Sequence, residues 1–150
     1  CVHALIRMTA GDEATFVEWM NEKAKELGLK NSHFVNATGL DAADHYMTAR
    51  DLATLAYRLV RDHPEYLRYS SQAEMEIDGL TFRNLNRLVG ADPRVLGLKT
   101  GTTLIGGNNL VTYAEDGADA CFIILLDSAS ETRRFAETEE LLDLVLGGAA

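Results

Sequence analysis

The sequence has few basic residues and no cluster of them. Its 14 Lys and Arg stand against 23 Asp and Glu, which gives a formal net charge of −9. A chain with this much negative charge is a poor partner for nucleic acid or for an anionic membrane surface. The net charge does not exclude uncharged or cationic ligands. It does not exclude small anions either, if the fold forms a local cationic site.

Long apolar runs are missing too, and the longest is far too short to cross a bilayer. No signal peptide is visible. The chain begins at Cys1 and not at a methionine, so we expect the natural protein to contain upstream sequence. With 150 residues, of which 47% are hydrophobic and 25% charged, the chain can form one compact domain or a large part of one.

Cysteine is scarce. Cys1 and Cys121 form neither a C-x-x-C pair nor a zinc spacing with histidine. One disulfide remains an option, but two free thiols are the preferred interpretation. Cys121 opens an apolar run of six residues, which predicts a small buried side chain.

Common catalytic fingerprints are absent as well. The sequence contains no phosphate-binding loop, dinucleotide fingerprint, G-x-S-x-G or H-E-x-x-H. Four side chains that can bind metals lie near one another in sequence, but their spacing fits no known ligand pattern: His33, Asp41, Asp44 and His45. We therefore expect no metal site there.

Hydrophobic spacing predicts two helices in the first half of the chain. Residues 12–27 form the first, and Gly28 suits a left-handed C-terminal cap. The second starts at Thr48, in a capping box with Asp51, and ends before Pro64. Five residues of the first helix are expected to face a core: Phe16, Trp19, Met20, Ala24 and Leu27.

Strand signals dominate the second half. Residues 75–82 predict a β-hairpin around Asp78-Gly79, in which Ile77 faces Leu80. Three further strands are predicted at residues 95–100, 109–115 and 120–127. A last helix begins near Ser128, where Glu131 completes a capping box. Its expected buried stripe is Phe135, Leu141, Leu142, Val145 and Leu146. Helices followed by antiparallel strands and a covering helix indicate an α+β fold.

The most informative segment is the K-T-G run at residues 99–101. Lys99 and the Thr100 hydroxyl can together hold a carboxylate through charge-assisted hydrogen bonds. Gly101 allows another backbone to approach closely, and the Thr102 amide can point at a developing oxyanion. On the tripeptide alone, a solvated lysine at a strand edge is the better interpretation, because so short a match is common.

Longer segments around this run resemble the low-molecular-mass serine D-alanyl-D-alanine carboxypeptidases, in which K-T-G is a signature. The similar segments follow one another in order. They are residues 16–24 (FV..MN.kA in the family), 27–34 (LGlknThF), 36–41 (N..GLD), 45–53 (H.stArDlA), 97–103 (GlKTG.T), 109–110 (NL) and 134–135 before 141–142.

The sequence also departs from that family. No serine in the chain begins the S-x-x-K motif that carries the family nucleophile, and none begins the S-x-N motif. In the family, S-x-N stands just upstream of a cysteine like Cys1. A tandem N-R-N is present with Leu85 in place of the arginine, and Thr102 stands where histidine is frequent. These changes affect the substrate site but keep the carboxylate-holding pair.

The resemblance implies that residues 1–150 are the C-terminal portion of one catalytic domain with the penicillin-binding protein/β-lactamase-like fold. It implies an enzyme outside the cytoplasm, in the bacterial cell envelope, that removes the terminal D-alanine of peptidoglycan peptides and is acylated by β-lactams. Lys99 and Thr102 would be catalytic, and residues 99–102 would bind substrate, without metal or organic cofactor. This chain alone is expected to be inactive.

Two alternatives to the carboxypeptidase remain open. A β-lactamase-related hydrolase would share the fold, and a non-catalytic module could bind wall peptides without ever having had a serine.

In this fold the N-terminal strands pair beside residues 120–127, so we expect the isolated chain to self-associate through that edge or to pair with the missing N-terminal segment.

Overall fold

The computed structural model describes residues 1–147. The chain divides into two compact units. The first ends at Leu55 and the second begins at Ala56, so the boundary falls within one helix.

The first unit opens with two helices, α1 (Val2–Thr9) and α2 (Glu13–Glu26). The Asp12 carboxylate caps α2, accepting a hydrogen bond from the Thr15 amide at 3.0 Å. Gly28 follows with φ of +75°, the left-handed conformation that ends a helix. The sequence prediction for α2 is therefore confirmed, whereas α1 was not predicted.

The apolar stripe of α2 is only partly buried. Ala24 is 4% exposed, but Trp19, expected in a core, is 47% exposed. Its ring lies 6.5 Å from that of Phe16. The stripe lines a groove of about 330 Å³ whose other walls include Leu29, Phe34 and Leu55. The expectation that Trp19 is a core residue is wrong for this chain, because no described residue of its unit covers the groove.

A small ladder and a third helix complete the first unit. Strands β1 (Ser32–His33) and β2 (Tyr46–Met47) pair in antiparallel fashion. Helix α3 runs from Ala49–Asp62 and passes into the second unit. The Thr48 hydroxyl caps it by accepting from the Asp51 amide at 3.2 Å. As predicted, α3 ends before Pro64, where a 3₁₀ turn (Pro64–Tyr66) begins.

The second unit continues with a short helix, α4 (Leu67–Ser70), and the predicted hairpin of β3 (Glu74–Ile77) and β4 (Leu80–Arg83). Ile77 pairs with Leu80, as the two-residue turn requires.

An antiparallel sheet of order β5-β6-β7 follows, formed by Val95–Thr103, Gly107–Asp116 and Asp119–Ser128. Helix α5 (Glu131–Leu146) covers one face. The core between them has eight buried members: Leu88, Val89, Val95, Leu110, Ala114, Ile123, Phe135 and Leu142. These observations confirm the α+β class.

The start of α5 corrects the sequence prediction. Ser130 is the N-cap, accepting from the Arg133 amide at 3.1 Å. Ser128, the expected cap, ends β7, and its hydroxyl donates to Glu137 at 2.7 Å. The sheet continues two residues further than the hydrophobic pattern does, because Asn108 pairs with Ser128. Val145, expected in the buried stripe, is 55% exposed.

Both cysteines are free thiols. Cys121 is half-buried against the core of the second unit, and burial raises the pKa of its thiol. Within residues 1–147, no helix combines the length and apolar character needed to span a bilayer.

Candidate active site

Strand β5 places the K-T-G run at an open edge of the sheet. Lys99 lies opposite Val111 and Thr100 opposite Leu110 in the ladder with β6. Lys99 is exposed and Thr100 is 9% exposed. The ammonium of Lys99 donates to the carbonyl of Thr100 and lies within 4 Å of no carboxylate of the described part of the chain. A cation without a partner charge is thus available to an anion.

A buried arginine supports this end of the strand. Arg134, in the first turn of α5, is 3% exposed. Its Nη1 donates to the Thr102 hydroxyl at 2.8 Å, to the Gly101 carbonyl at 3.2 Å and to the Asn109 carbonyl at 3.4 Å. Its guanidinium lies over the Phe135 ring, 4.9 Å from the centroid. Arg134 therefore fixes the backbone of the K-T-G end and adds a second positive charge beneath it.

Sequence reasoning did not identify Arg134 as a site residue. A signal was present, because Arg133 and Arg134 follow directly on the helix start, where the dipole disfavours cations. The charge of Arg133 is balanced by an ion pair with Glu137, in which Nη2 and Oε1 are 3.2 Å apart. The nearest carboxylate to Arg134 is that of Glu131, at 3.8 Å. A cation buried with so weak a partner indicates a role in a site.

The other end of β5 is fixed by Ser70. Its hydroxyl donates to the Leu96 carbonyl at 2.8 Å. Gly97 is required beside it, because a Cβ there would lie 2.7 Å from the Ser70 side chain and Gly97 has φ of +143°. Asn84 donates to the Ser70 carbonyl at 3.1 Å. Ser70 is therefore a structural serine, bound to backbone and buried at 8% exposure.

The N-x-N segment lies next to this support. The Asn84 side chain accepts from the Asn86 amide at 2.9 Å, and Asn86 accepts from the Leu88 amide at 3.2 Å. Asn86 is 3% exposed, whereas Leu85, which replaces the family arginine, is 75% exposed. The two asparagines hold the chain in place, and the position between them faces solvent.

In the first unit, the residues that resemble family motifs hold backbone. Asn21 makes two hydrogen bonds with the backbone of Phe34, at 2.7 and 3.0 Å. The Asp51 carboxylate accepts from the Asn31 amide at 2.7 Å and from the Ser32 hydroxyl at 2.8 Å. Asp51 is 5% exposed and is a structural carboxylate.

The four potential metal ligands do not converge. Among residues 1–147, no group of three or more His, Cys, Asp or Glu side chains is arranged to hold a metal ion. His33 contacts the Asp44 carbonyl at 2.6 Å, and His45 accepts from the Val35 amide at 3.1 Å. Burial and then the neighbouring His33 lower the pKa of His45.

The fold is that of the penicillin-binding proteins. Penicillin-binding protein D2 from Listeria monocytogenes, solved with cefotaxime bound, superposes with a TM-score of 0.89 at 33% identity, over 97% of this chain and 60% of that chain. Penicillin-binding protein 5 from Haemophilus influenzae gives a TM-score of 0.90 at 30% identity, over 97% of this chain and 43% of that chain.

The family follows from sequence. The family model for peptidase S11, D-alanyl-D-alanine carboxypeptidase, matches residues 1–130. The carboxypeptidase DacC of Escherichia coli K12 is 38% identical over 140 residues, which covers 93% of this chain and 35% of that protein. The chain belongs to the D-alanyl-D-alanine carboxypeptidase family, and it spans about a third of the length of the curated relatives it matches. The resemblance inferred from its motifs is confirmed.

Proposed function

We propose that this chain is the C-terminal portion of the catalytic domain of a serine D-alanyl-D-alanine carboxypeptidase. The observation that carries the proposal is the exposed Lys99 in β5, with Arg134 bonded to the backbone of Gly101 two residues further along the strand. Together they make a local positive site in a chain of net charge −9. Such a site suits a ligand that ends in a carboxylate.

In this proposal each residue of the run has one task. Lys99 and Thr100 hold the terminal carboxylate of a peptidoglycan peptide, or that of a β-lactam. Gly101 lets the ligand backbone approach the strand. The Thr102 amide donates to the oxygen of the reacting carbonyl as negative charge develops on it.

The nucleophile comes from outside these 150 residues, since no S-x-x-K occurs in them. Its hydroxyl attacks the penultimate carbonyl, the bond to the last D-alanine breaks, and the free amino acid leaves. Water then hydrolyses the acyl-enzyme. The enzyme works in the cell envelope outside the cytoplasm, where peptidoglycan lies, and needs no metal or organic cofactor. This chain alone is inactive.

A β-lactamase-related hydrolase is the second candidate, because a penicillin carries a carboxylate that the same residues can hold. The curated relative named above, DacC, is a carboxypeptidase, which favours the first. Comparing turnover of a penicillin with that of a D-Ala-D-Ala peptide separates the two.

The first experiment is intact mass spectrometry after incubation with a β-lactam. It compares this chain with the extended protein, meaning the same chain together with the sequence that precedes Cys1 in its gene. We expect an adduct on the extended protein only. No adduct on either would favour a non-catalytic binding module, and an adduct on this chain would place the nucleophile within it.

Lys99→Met in the extended protein tests the carboxylate site. Loss of a hydrogen-bonded charge pair predicts acylation slower by roughly ten- to a hundredfold. Lys23→Met is the matched control, because Lys23 is another exposed lysine, 64% exposed at its side chain, on α2. Equal acylation of the Lys99 variant and the control would exclude Lys99 from the site.

A further inference from the structure

The hairpin that carries the K-T-G run ends in an apolar tip, which consists of Leu104 and Ile105. Leu104 is 98% exposed and Ile105 is 82% exposed. One exposed leucine is ordinary on a protein surface. Turn positions, however, normally hold Gly, Asn, Asp, Ser or Pro, which fit turn geometry or bond to the backbone. The aliphatic side chains of Leu104 and Ile105 cannot themselves hydrogen-bond to the backbone in this way.

The backbone of the apolar tip is held by polar side chains at its base. The Gly106 amide donates to the Thr103 hydroxyl at 2.9 Å. The Asn109 side chain donates to the Gly106 carbonyl at 2.8 Å and accepts from the Asp127 amide at 2.9 Å. The apolar side chains therefore project from an ordered turn, and a ligand that contacts them does not have to order the loop first.

The position of the apolar tip relative to the reaction follows from the proposed function, on which this inference rests. Lys99 and Thr100 take the carboxylate end of the ligand, and the Thr102 amide takes the reacting carbonyl. The ligand therefore runs along β5 from its carboxylate toward the tip. Leu104 is the first residue after β5 and lies two residues beyond Thr102, at most about 7 Å along the chain, which is the length of two extended peptide residues.

We infer that Leu104 and Ile105 form an apolar wall on the acyl side of the site. They contact the part of the ligand that precedes the reacting carbonyl and select ligands with an apolar group there. In a peptide this group is a side chain next to the D-Ala-D-Ala end, and in a β-lactam it is the acylamino substituent.

The test measures acylation rates of the extended protein with two penicillins that share one bicyclic core. Benzylpenicillin carries a phenyl group on its acyl side, and 6-aminopenicillanic acid carries only an amine. In the double variant Leu104→Ser with Ile105→Ser, we expect the benzylpenicillin rate to fall by on the order of tenfold. The rate with 6-aminopenicillanic acid stays the same.

Leu144→Ser is the matched control, because Leu144 is a leucine of α5 that is 75% exposed, and it should change neither rate. Equal losses with both penicillins, or no loss with benzylpenicillin, would overturn the inference. So would a fall in the melting temperature of the double variant alone, since it would mean that another part of the protein covers the tip. If the unmodified extended protein reacts with neither penicillin, the proposed function itself fails.

Discussion

The guanidinium of Arg134 donates to the Thr102 hydroxyl at 2.8 Å, although the two residues are 32 positions apart in sequence. The same nitrogen donates to the Gly101 carbonyl. The residue proposed to stabilise the reacting carbonyl is thus held from below by the first turn of α5. Its position in the site depends on the packing of the helix against the sheet.

Arg134→Met in the extended protein should therefore weaken both fold and site. Hydrogen bonds to a charged group contribute roughly 1.5–3 kcal/mol, so we expect a loss of about 2 kcal/mol in the free energy of unfolding. If Arg134 had a structural role alone, the substitution would lower the free energy of unfolding and leave the KM unchanged. A positioning role also raises the KM for a D-Ala-D-Ala peptide more than it lowers kcat, and Arg134→Lys restores part of the KM. Arg133→Met, with a side chain 65% exposed, is the control. An unchanged KM in the Arg134→Met enzyme would reduce Arg134 to a structural residue.

Asp51 gives a prediction for the first unit. Its buried carboxylate accepts from the Asn31 amide and the Ser32 hydroxyl, so Asp51→Asn keeps the shape but removes the charge from both bonds. We expect the extended protein to lose roughly 2–3 kcal/mol, seen as a lower midpoint in urea with an unchanged slope. Asp116→Asn, at an exposed position, is the control. A midpoint that moves no more than the control's would show that the charge is dispensable.

Tyr113 makes stability depend on alkaline pH. Burial, followed by the hydrogen bond to Glu115, raises its pKa from 10.0 to about 12. Between these values the unfolded chain releases the phenolic proton and the folded chain keeps it, so stability falls as pH rises from 10 to 12. The expected loss is on the order of 2 kcal/mol.

The measurement is urea unfolding of the extended protein at several pH values, together with tyrosinate absorbance. In Tyr113→Phe this part of the pH dependence should vanish, and the tyrosine that titrates last should disappear from the absorbance curve. Tyr69→Phe, which removes a 60% exposed tyrosine, should leave both features in place. A wild-type curve in which every tyrosine titrates together would contradict the prediction.

Local patterns were sufficient for much of the fold. The left-handed Gly28 after α2, the turn at Asp78-Gly79 and the strand that carries K-T-G depend on neighbouring residues, and each was predicted. The site also needed tertiary information. Arg134 acquires its role only when α5 packs on the sheet, and the exposure of Trp19 depends on which chain segments cover α2. Ser128 and Ser130 are both capping residues by type, and the pairing of Asn108 with Ser128 decides between them.

The free edge of β7 is the basis of the last prediction. Among residues 1–147 this strand pairs with β6 alone, and its apolar side chains include the half-buried Ile124 and the 40% exposed Leu126. An unpaired apolar edge invites another strand. We expect the isolated 150-residue chain to self-associate, or to pair with the upstream segment added as a separate peptide. Light scattering at increasing concentration measures the first outcome, and co-elution measures the second.

A charge on that edge should oppose the association, because a lysine would have to be buried between strands. Ile124→Lys should therefore shift the isolated chain toward monomer. Leu80→Lys adds the same charge on the β3–β4 hairpin, at a position 63% exposed, and should not. The role of this edge would be contradicted if the unmodified chain stays a monodisperse monomer at high concentration and also does not bind the upstream peptide. Equal dissociation by both lysine variants would mean that net charge, and not strand pairing, controls association.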